Sequence, residues 1–215
     1  MAKKQGKQTY LMQQCLTVRA WAAVGSKKEG QGPLASGFDL IEPDSTFGQD
    51  SWEKAESRMV SLTADKALSN AALTYEDIDC IFAGDLLNQC VGTTFGLRDS
   101  GIPLFGLYGA CSTCAESLTL AAMSVAGGFA EHAAAVTSSH FASAEKEFRF
   151  PLGYGSQRPL AATWTVTGSG AFILGTKNGY VRISGVTPGK IVDRGVRDNM
   201  NMGACMAPAA SIFWA

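Results

Sequence analysis

Hydrophobic and polar positions change rhythm several times along the chain, and each rhythm predicts an element. A first strand is read near residues 16–24, and the Gly-, Pro- and polar-rich stretch from 21 to 50 keeps neither a period of 2 nor of 3.6, which predicts a long surface loop. From Trp52 the apolar residues Trp52, Ala55, Met59, Leu62, Ala67 and Leu68 fall near helical spacing, with Lys and Glu on the other side. That is an amphipathic helix lying on a core, begun by an Asp50/Ser51 cap. LTYEDIDC (73–80) reads as a short capped turn running into the strand CIFAG. A helix over 92–99, the strand PLFGLYG, a helix from about Ser112 to Val125 closed by Gly127-Gly128, and the strand AAAVTSSH (133–140) follow. Strand, helix, strand, helix, strand with short connections implies a parallel α/β sheet covered by helices. TWTVTGSGAFILG and YVRISGVTPGKIV are predicted to form an antiparallel pair, and NMGACMAPAA to start a helix that the closing SIFWA cuts short, the pattern of a truncated product.

Composition narrows the class. With 215 residues, 46% hydrophobic and 17% charged, the chain has the balance of a soluble globular protein. A net charge of −1 supplies no basic field for a phosphate backbone, so no nucleic-acid partner is expected. No run approaches the roughly 18–20 apolar residues that span a bilayer, and no apolar stretch follows the lysines of MAKKQGKQTY as a signal peptide requires. Six cysteines are too few for a disulfide scaffold. Cys15, Cys80 and Cys90 read as small buried thiols of a reducing cytoplasm.

Candidate chemistry gathers at strand ends, where open parallel sheets collect ligands. Cys111, in GACSTCAESL, sits after a strand and at a helix start, where the helix dipole and free N–H groups favour thiolate. It is a candidate nucleophile, or else an inert buried thiol. Cys114, one turn on, makes a C-x-x-C that could be a redox pair; zinc would need a second ligand pair that neither His132 nor His140 supplies at recognisable spacing. Asp85 ends another strand and reads as a ligand contact, as the cap of the next helix, or as both. His140 ends the strand after the cysteine helix and either reaches the same crevice or is a structural hydrogen-bonding residue. Arg149, among the aromatics and proline of FRFPLGYG, can make a flat slot for a carboxylate. Gly168-Ser169-Gly170 lacks the Lys and helix of a phosphate loop and is read as a strand bend.

The ordered segments AGDLLNQ, FGLYGACST, TSSHFASAEKEFRFPLGYGSQRP, ATWTVTGSGAFIL and VDRGVRDNMNMGACMAPAA closely resemble the stage V sporulation protein AD family of the thiolase-like superfamily, from GKQTY to about Ala210. The resemblance implies two similar α/β halves in a five-layered arrangement that typically dimerises. This chain would supply the N-terminal half over 1–205, a parallel-rich mixed sheet covered by helices on both faces. Residues 206–215 would begin the crossing to a C-terminal half. The family's nucleophile position maps onto Cys111, as a vestige, while the acid/base residues belong to the second half.

The family resemblance further implies a non-catalytic binding protein for pyridine-2,6-dicarboxylate (dipicolinic acid), or its Ca²⁺ chelate, during uptake into the developing spore. It would work with other stage V sporulation A membrane proteins, peripherally on the cytoplasmic side of the forespore inner membrane, as a homodimer at full length. Asp85, Cys111, Ser112, Thr113, His140 and Arg149 are the expected ligand contacts; no cofactor and no resident metal site are expected. A helix N-terminus, hydroxyls and a cationic fork suit a flat aromatic dianion, and Asp85 would take a ring-nitrogen proton or share the Ca²⁺. The alternatives are an acyl-transferring thiolase or ketoacyl-synthase-like enzyme using Cys111 on acyl-CoA, and a scaffold that binds no small molecule.

Overall fold

The computed structural model describes residues 2–148, 165–197, 201 and 203–213. Among the described residues eight strands form one mixed sheet: β1 (Ala2–Gln5), β2 (Thr9–Ser26), β3 (Leu40–Glu42), β4 (Cys80–Gly84), β5 (Leu104–Gly106), β6 (Ala133–Ser139), β7 (Gly168–Gly175) and β8 (Val181–Val186). The main path runs β1-β2-β7-β6-β4-β5, with β3 and β8 also paired to β2. β6, β4 and β5 are mutually parallel neighbours. β7 is antiparallel to both β6 and β2.

The sheet is buried on both faces because strand side chains alternate between two helices. Cys80 and Phe82 of β4, with Ala133 and Ala135 of β6, pack under α3 (Thr113–Ala126), against Ala121, Ala122, Val125 and Ala126. Their neighbours Ile81, Ala83, Ala134 and Val136 turn to the other face and meet Val60, Ala64, Ala67 and Leu68 of α1 (Trp52–Ala71). Leu174 and Ile173 of β7 divide between the same two clusters. Each fully buried Val, Leu or Ile side chain among them contributes about 1.5–3 kcal/mol.

α1 begins as the sequence predicts. The Ser51 hydroxyl accepts a hydrogen bond from the Lys54 amide (3.3 Å), satisfying one of the helix's free N–H groups. Ser51→Ala should cost about 1 kcal/mol of stability in urea unfolding; an unchanged midpoint would show the cap to be dispensable. At the other end Ala72 turns left-handed (φ 53°), and Leu73 donates back to the Leu68 carbonyl. A capping box between Thr74 and Asp77 then forms the turn into β4.

Several expectations are corrected. The two late β-runs do not pair with each other: β2 lies between them, with Thr17 facing Gly175 of β7 on one side and Arg182 of β8 on the other. β2 is therefore a long central strand rather than a short one over 16–24. The loop after it starts at Lys27 and contains β3, which is parallel to β2. Gly168-Ser169-Gly170 is regular strand, in register with both β2 and β6, not a bend. Cys15 is exposed, because the β2–β8 register shifts between Leu11 and Leu16 and turns residues 13–15 outward; Cys80 and Cys90 are buried. Burial raises the thiol pKa of both.

Two further helices complete the part of the fold that carries the site: α2 (Val91–Leu97), which packs on α1, and α4 (Phe141–Phe148), which follows β6 directly. The Ala-rich stretch near the end does form a helix, α5 (Gly203–Phe213). No helix among the described residues is long and apolar enough to cross a membrane.

Candidate functional site

The chain turns from β5 into α3 through a tight elbow. Leu107 donates to the Ala83 carbonyl (2.8 Å), which ties the segment to the end of β4. Ala110 then adopts a left-handed conformation (φ 48°), unusual for a residue with a Cβ. A short 3-10 turn over Ala110–Ser112 leads into the first turn of α3. The thiols of Cys111 and Cys114 both stand exposed at this helix start.

Beside the elbow lies an open crevice of about 340 Å³ across the carboxyl ends of β4 and β6 and the start of β7. Asp85, Cys111, Thr113, Ser139 and Gly170 are among the residues that line it. Small residues make the space, and its walls are mostly apolar backbone and methyl groups with hydroxyls set among them. A larger groove, of about 760 Å³, runs along α1 and α2 beside Lys54, Arg58, Phe95 and Arg98. It takes no residue from the elbow or from a strand end, so the smaller crevice is the better candidate for ligand chemistry.

The expected site residues separate into three groups. Asp85, Cys111 and Thr113 line the crevice together. Asp85 is buried and already occupied: its Oδ1 accepts from the Leu87 amide and its Oδ2 from the Thr93 amide, both at 2.7 Å. It thus caps the first turn of α2 from outside the helix. Thr113 is buried and its hydroxyl accepts from the Gly109 amide (3.1 Å).

Ser112 and His140 stand outside the lining. The Ser112 hydroxyl is exposed and donates to the Gly109 carbonyl (2.6 Å), which closes the elbow. His140 is fully buried, and its ring stacks on Phe141 and packs at a tilt against Trp52. Its Nδ1 accepts from the Ala142 amide (3.2 Å), so its Nε2 carries the proton and donates to the Ser45 carbonyl (2.8 Å). This is the imidazole of a structural corner. Arg149, the expected cationic fork, lies outside the described residues.

Sequence reasoning missed four hydroxyl residues that line the crevice: Thr137, Ser138, Ser139 and Thr165. Ser139 matters most, because its Oγ is buried without a hydrogen-bond partner among the described residues. A buried hydroxyl with no partner costs about 1–3 kcal/mol unless something fills the vacancy. The signal available in advance was period 2 along β6, which sends residues 137 and 139 to the face carrying α3.

It also missed Glu56. This α1 side chain is fully buried; its Oε1 accepts from the Ser138 hydroxyl (2.8 Å) and its Oε2 from the Ser143 hydroxyl (2.5 Å). Burial is the main reason its pKa rises from 4.5 to about 7, and the nearby Asp85 and Glu53 carboxylates add to the effect.

Comparison with known proteins places this geometry. The family described as Stage V sporulation protein AD matches residues 6–212. A Bacillus subtilis (strain 168) protein named Stage V sporulation protein AD is 43% identical over 209 residues, which is 97% of this chain. The chain spans 62% of that relative's length. Among solved structures, a priming β-ketosynthase from a polyketide biosynthetic pathway is similar at TM-score 0.52 and 16% identity, over 82% of this chain and 53% of that one. Cerulenin-bound OleA of Xanthomonas campestris aligns at TM-score 0.52 and 16% identity, over 77% of this chain and 58% of its own. A 3-oxoacyl-(acyl carrier protein) synthase III of Xanthomonas oryzae aligns at 0.50 and 16%, over 77% and 57%. At such identities the likeness establishes the fold, which is thiolase-like.

Proposed function

Because this chain belongs to the stage V sporulation protein AD family and has a thiolase-like fold, we propose that it binds dipicolinic acid, free or as its Ca²⁺ chelate, for delivery to the developing spore. The observation that carries the proposal is the crevice itself. A flat ring suits mostly apolar walls, and carboxylates suit the positive end of the α3 dipole and the unpartnered Ser139 hydroxyl. Asp85 supports the site by holding the Leu87 and Thr93 amides, and only the remaining lone pairs of its two oxygens would be open to a ring-nitrogen proton or Ca²⁺.

The reading is of a non-catalytic protein. Acyl transfer from a cysteine needs a base within hydrogen-bond reach of the thiol and a set of oxyanion donors. His140 has both ring nitrogens committed elsewhere. The alternative, acyl transfer from acyl-CoA, is favoured by the exposed thiol of Cys111 on an elbow in a fold shared with β-ketosynthases. It predicts a covalent mass increase on Cys111 after incubation with acyl-CoA, which the binding reading does not.

Ser139→Ala should weaken dipicolinate binding roughly tenfold in equilibrium dialysis, the range for losing a hydrogen bond to a charged group. Cys111→Ala should leave it within about threefold, since a thiol is a weak donor. Unchanged affinity in Ser139→Ala would remove the crevice hydroxyl from the site. The partners proposed are the stage V sporulation A membrane proteins, together with a second copy of the chain in the full-length protein. β5 is the exposed edge of the main sheet path, and Phe105 on it is half exposed while stacking on Phe82.

A further inference from the structure

The β6–α4 corner is held from behind by a single acid. Ser138 is the penultimate residue of β6, His140 forms the corner and Ser143 lies in the first turn of α4; Glu56 on α1 receives the hydroxyls on both sides of the corner. Ser138 and Ser139 are also wall residues of the crevice. Whatever fixes the corner therefore fixes that wall.

The Ser143 hydroxyl has one proton and two acceptors in reach, Glu56 Oε2 at 2.5 Å and the His140 carbonyl at 3.2 Å. When Glu56 carries a proton, that proton can go to Ser143 Oγ, and the Ser143 proton is free for the His140 carbonyl, so the corner is closed by a continuous chain. When Glu56 is ionised, the Ser143 proton turns to the carboxylate and the chain is broken at His140.

Burial favours the neutral form of Glu56 most, the Ser143 and Ser138 hydroxyls work against it, and two neighbouring acids add to it. Asp85 acts on it from the end of β4 and Glu53 from its own helix, both negative. A Cβ added to Gly92 of α2 would lie 3.1 Å from Glu56 Cγ and 3.3 Å from Asp85 Oδ2, so the two acids converge on one glycine. α2 itself carries no titratable side chain, and the buried polar residues of β2 and β7 are Thr17, Ser26 and Ser169. His140 is the corner's own imidazole; on α4, Glu145, Lys146 and Glu147 have side chains outside the described set.

We propose that Glu56 is a proton-operated latch on the β6–α4 corner, positioning the Ser138–Ser139 wall so that the crevice takes an anionic ligand when Glu56 is neutral and releases it when Glu56 is ionised. The ligand part rests on the dipicolinate reading above. Ionisation turns the Ser143 proton from the His140 carbonyl to the carboxylate and adds a negative charge behind the wall, and that charge opposes a dianion.

The test is dipicolinate affinity from about pH 6 to about pH 8, a range in which both ligand carboxylates stay ionised, together with tryptophan emission of the free protein over the same range. Trp52, packed on the His140 ring, reports the corner. The chain should lose affinity about tenfold across the range, the factor carried by a one-unit change in proton affinity, and should show an emission step. Glu56→Gln, which keeps a neutral hydrogen-bonding group, should bind independently of pH and show no step. Flat binding in the unaltered chain, or a step that persists in Glu56→Gln and so belongs to His140, overturns the latch. If dipicolinate binds at no pH, the ligand reading fails, and the emission step alone decides whether the corner is latched.

Discussion

Gly84→Ala is expected to destabilise the chain by about 3 kcal/mol or more, the upper range for overpacking a filled site. A Cβ at Gly84 would lie 2.0 Å from the Leu107 carbonyl oxygen and 2.7 Å from Thr113 Cγ2. The first contact is with backbone, and that backbone is held. Leu107 donates to Ala83, and the Cys90 thiol donates to the Leu107 carbonyl at 3.2 Å. Relief requires moving residues 107–109, the segment that delivers Cys111 to the crevice. Urea unfolding and dipicolinate binding should therefore fail together in this variant. Gly170→Ala provides the contrast: its Cβ would meet nothing within 4 Å, yet Gly170 lines the crevice. Stability should change by less than about 1 kcal/mol while binding weakens. A stable Gly84→Ala chain would mean that the elbow is less tightly seated on β4 than its contacts indicate.

The second large effect is the dependence of stability on Glu56. Its pKa is 4.5 when unfolded and about 7 when folded, so between those values the native state holds the proton more firmly than the unfolded chain. Stability is therefore full below about pH 4.5 and declines as pH rises towards 7. The cost above the folded value is about 3 kcal/mol, from a shift of some two and a half units at 1.36 kcal/mol each. Glu56→Gln cannot ionise and escapes that loss. The two proteins should have similar unfolding free energies near about pH 5, and the variant should be more stable by about 2–3 kcal/mol near about pH 8. Parallel pH profiles would show that Glu56 ionises in the fold without penalty.

The elements that carry the fold were legible because both of their patterns are local. CIFAG and AAAVTSS are continuous apolar or small runs, as strands covered on both faces must be, and the α1 stripe and its Ser51 cap follow directly from residue spacing. The sheet order was not legible. Nothing in TWTVTGSGAFILG specifies that its partner is a strand some 150 residues earlier, and adjacency in sequence suggested the wrong neighbour. Cys111 and Asp85 were singled out because the position after a strand is visible in sequence, and the structure brings them to one crevice. Ser139 and Glu56 were hidden for different reasons. A serine near a strand end is unremarkable until its hydroxyl proves to be unpartnered. A glutamate in an amphipathic helix reads as solvent-facing, and here residue 56 sits between Ala55 and Met59 on the buried side, with two serines from beyond β6 supplying its hydrogen bonds.

Whether this crevice holds its ligand is measured directly by a calorimetric titration of the folded chain with dipicolinic acid, with and without calcium. Saturable one-to-one binding, weakened by Ser139→Ala, is the predicted result. A folded chain that gives no binding heat over a range of temperatures, with either form of the ligand, would contradict it.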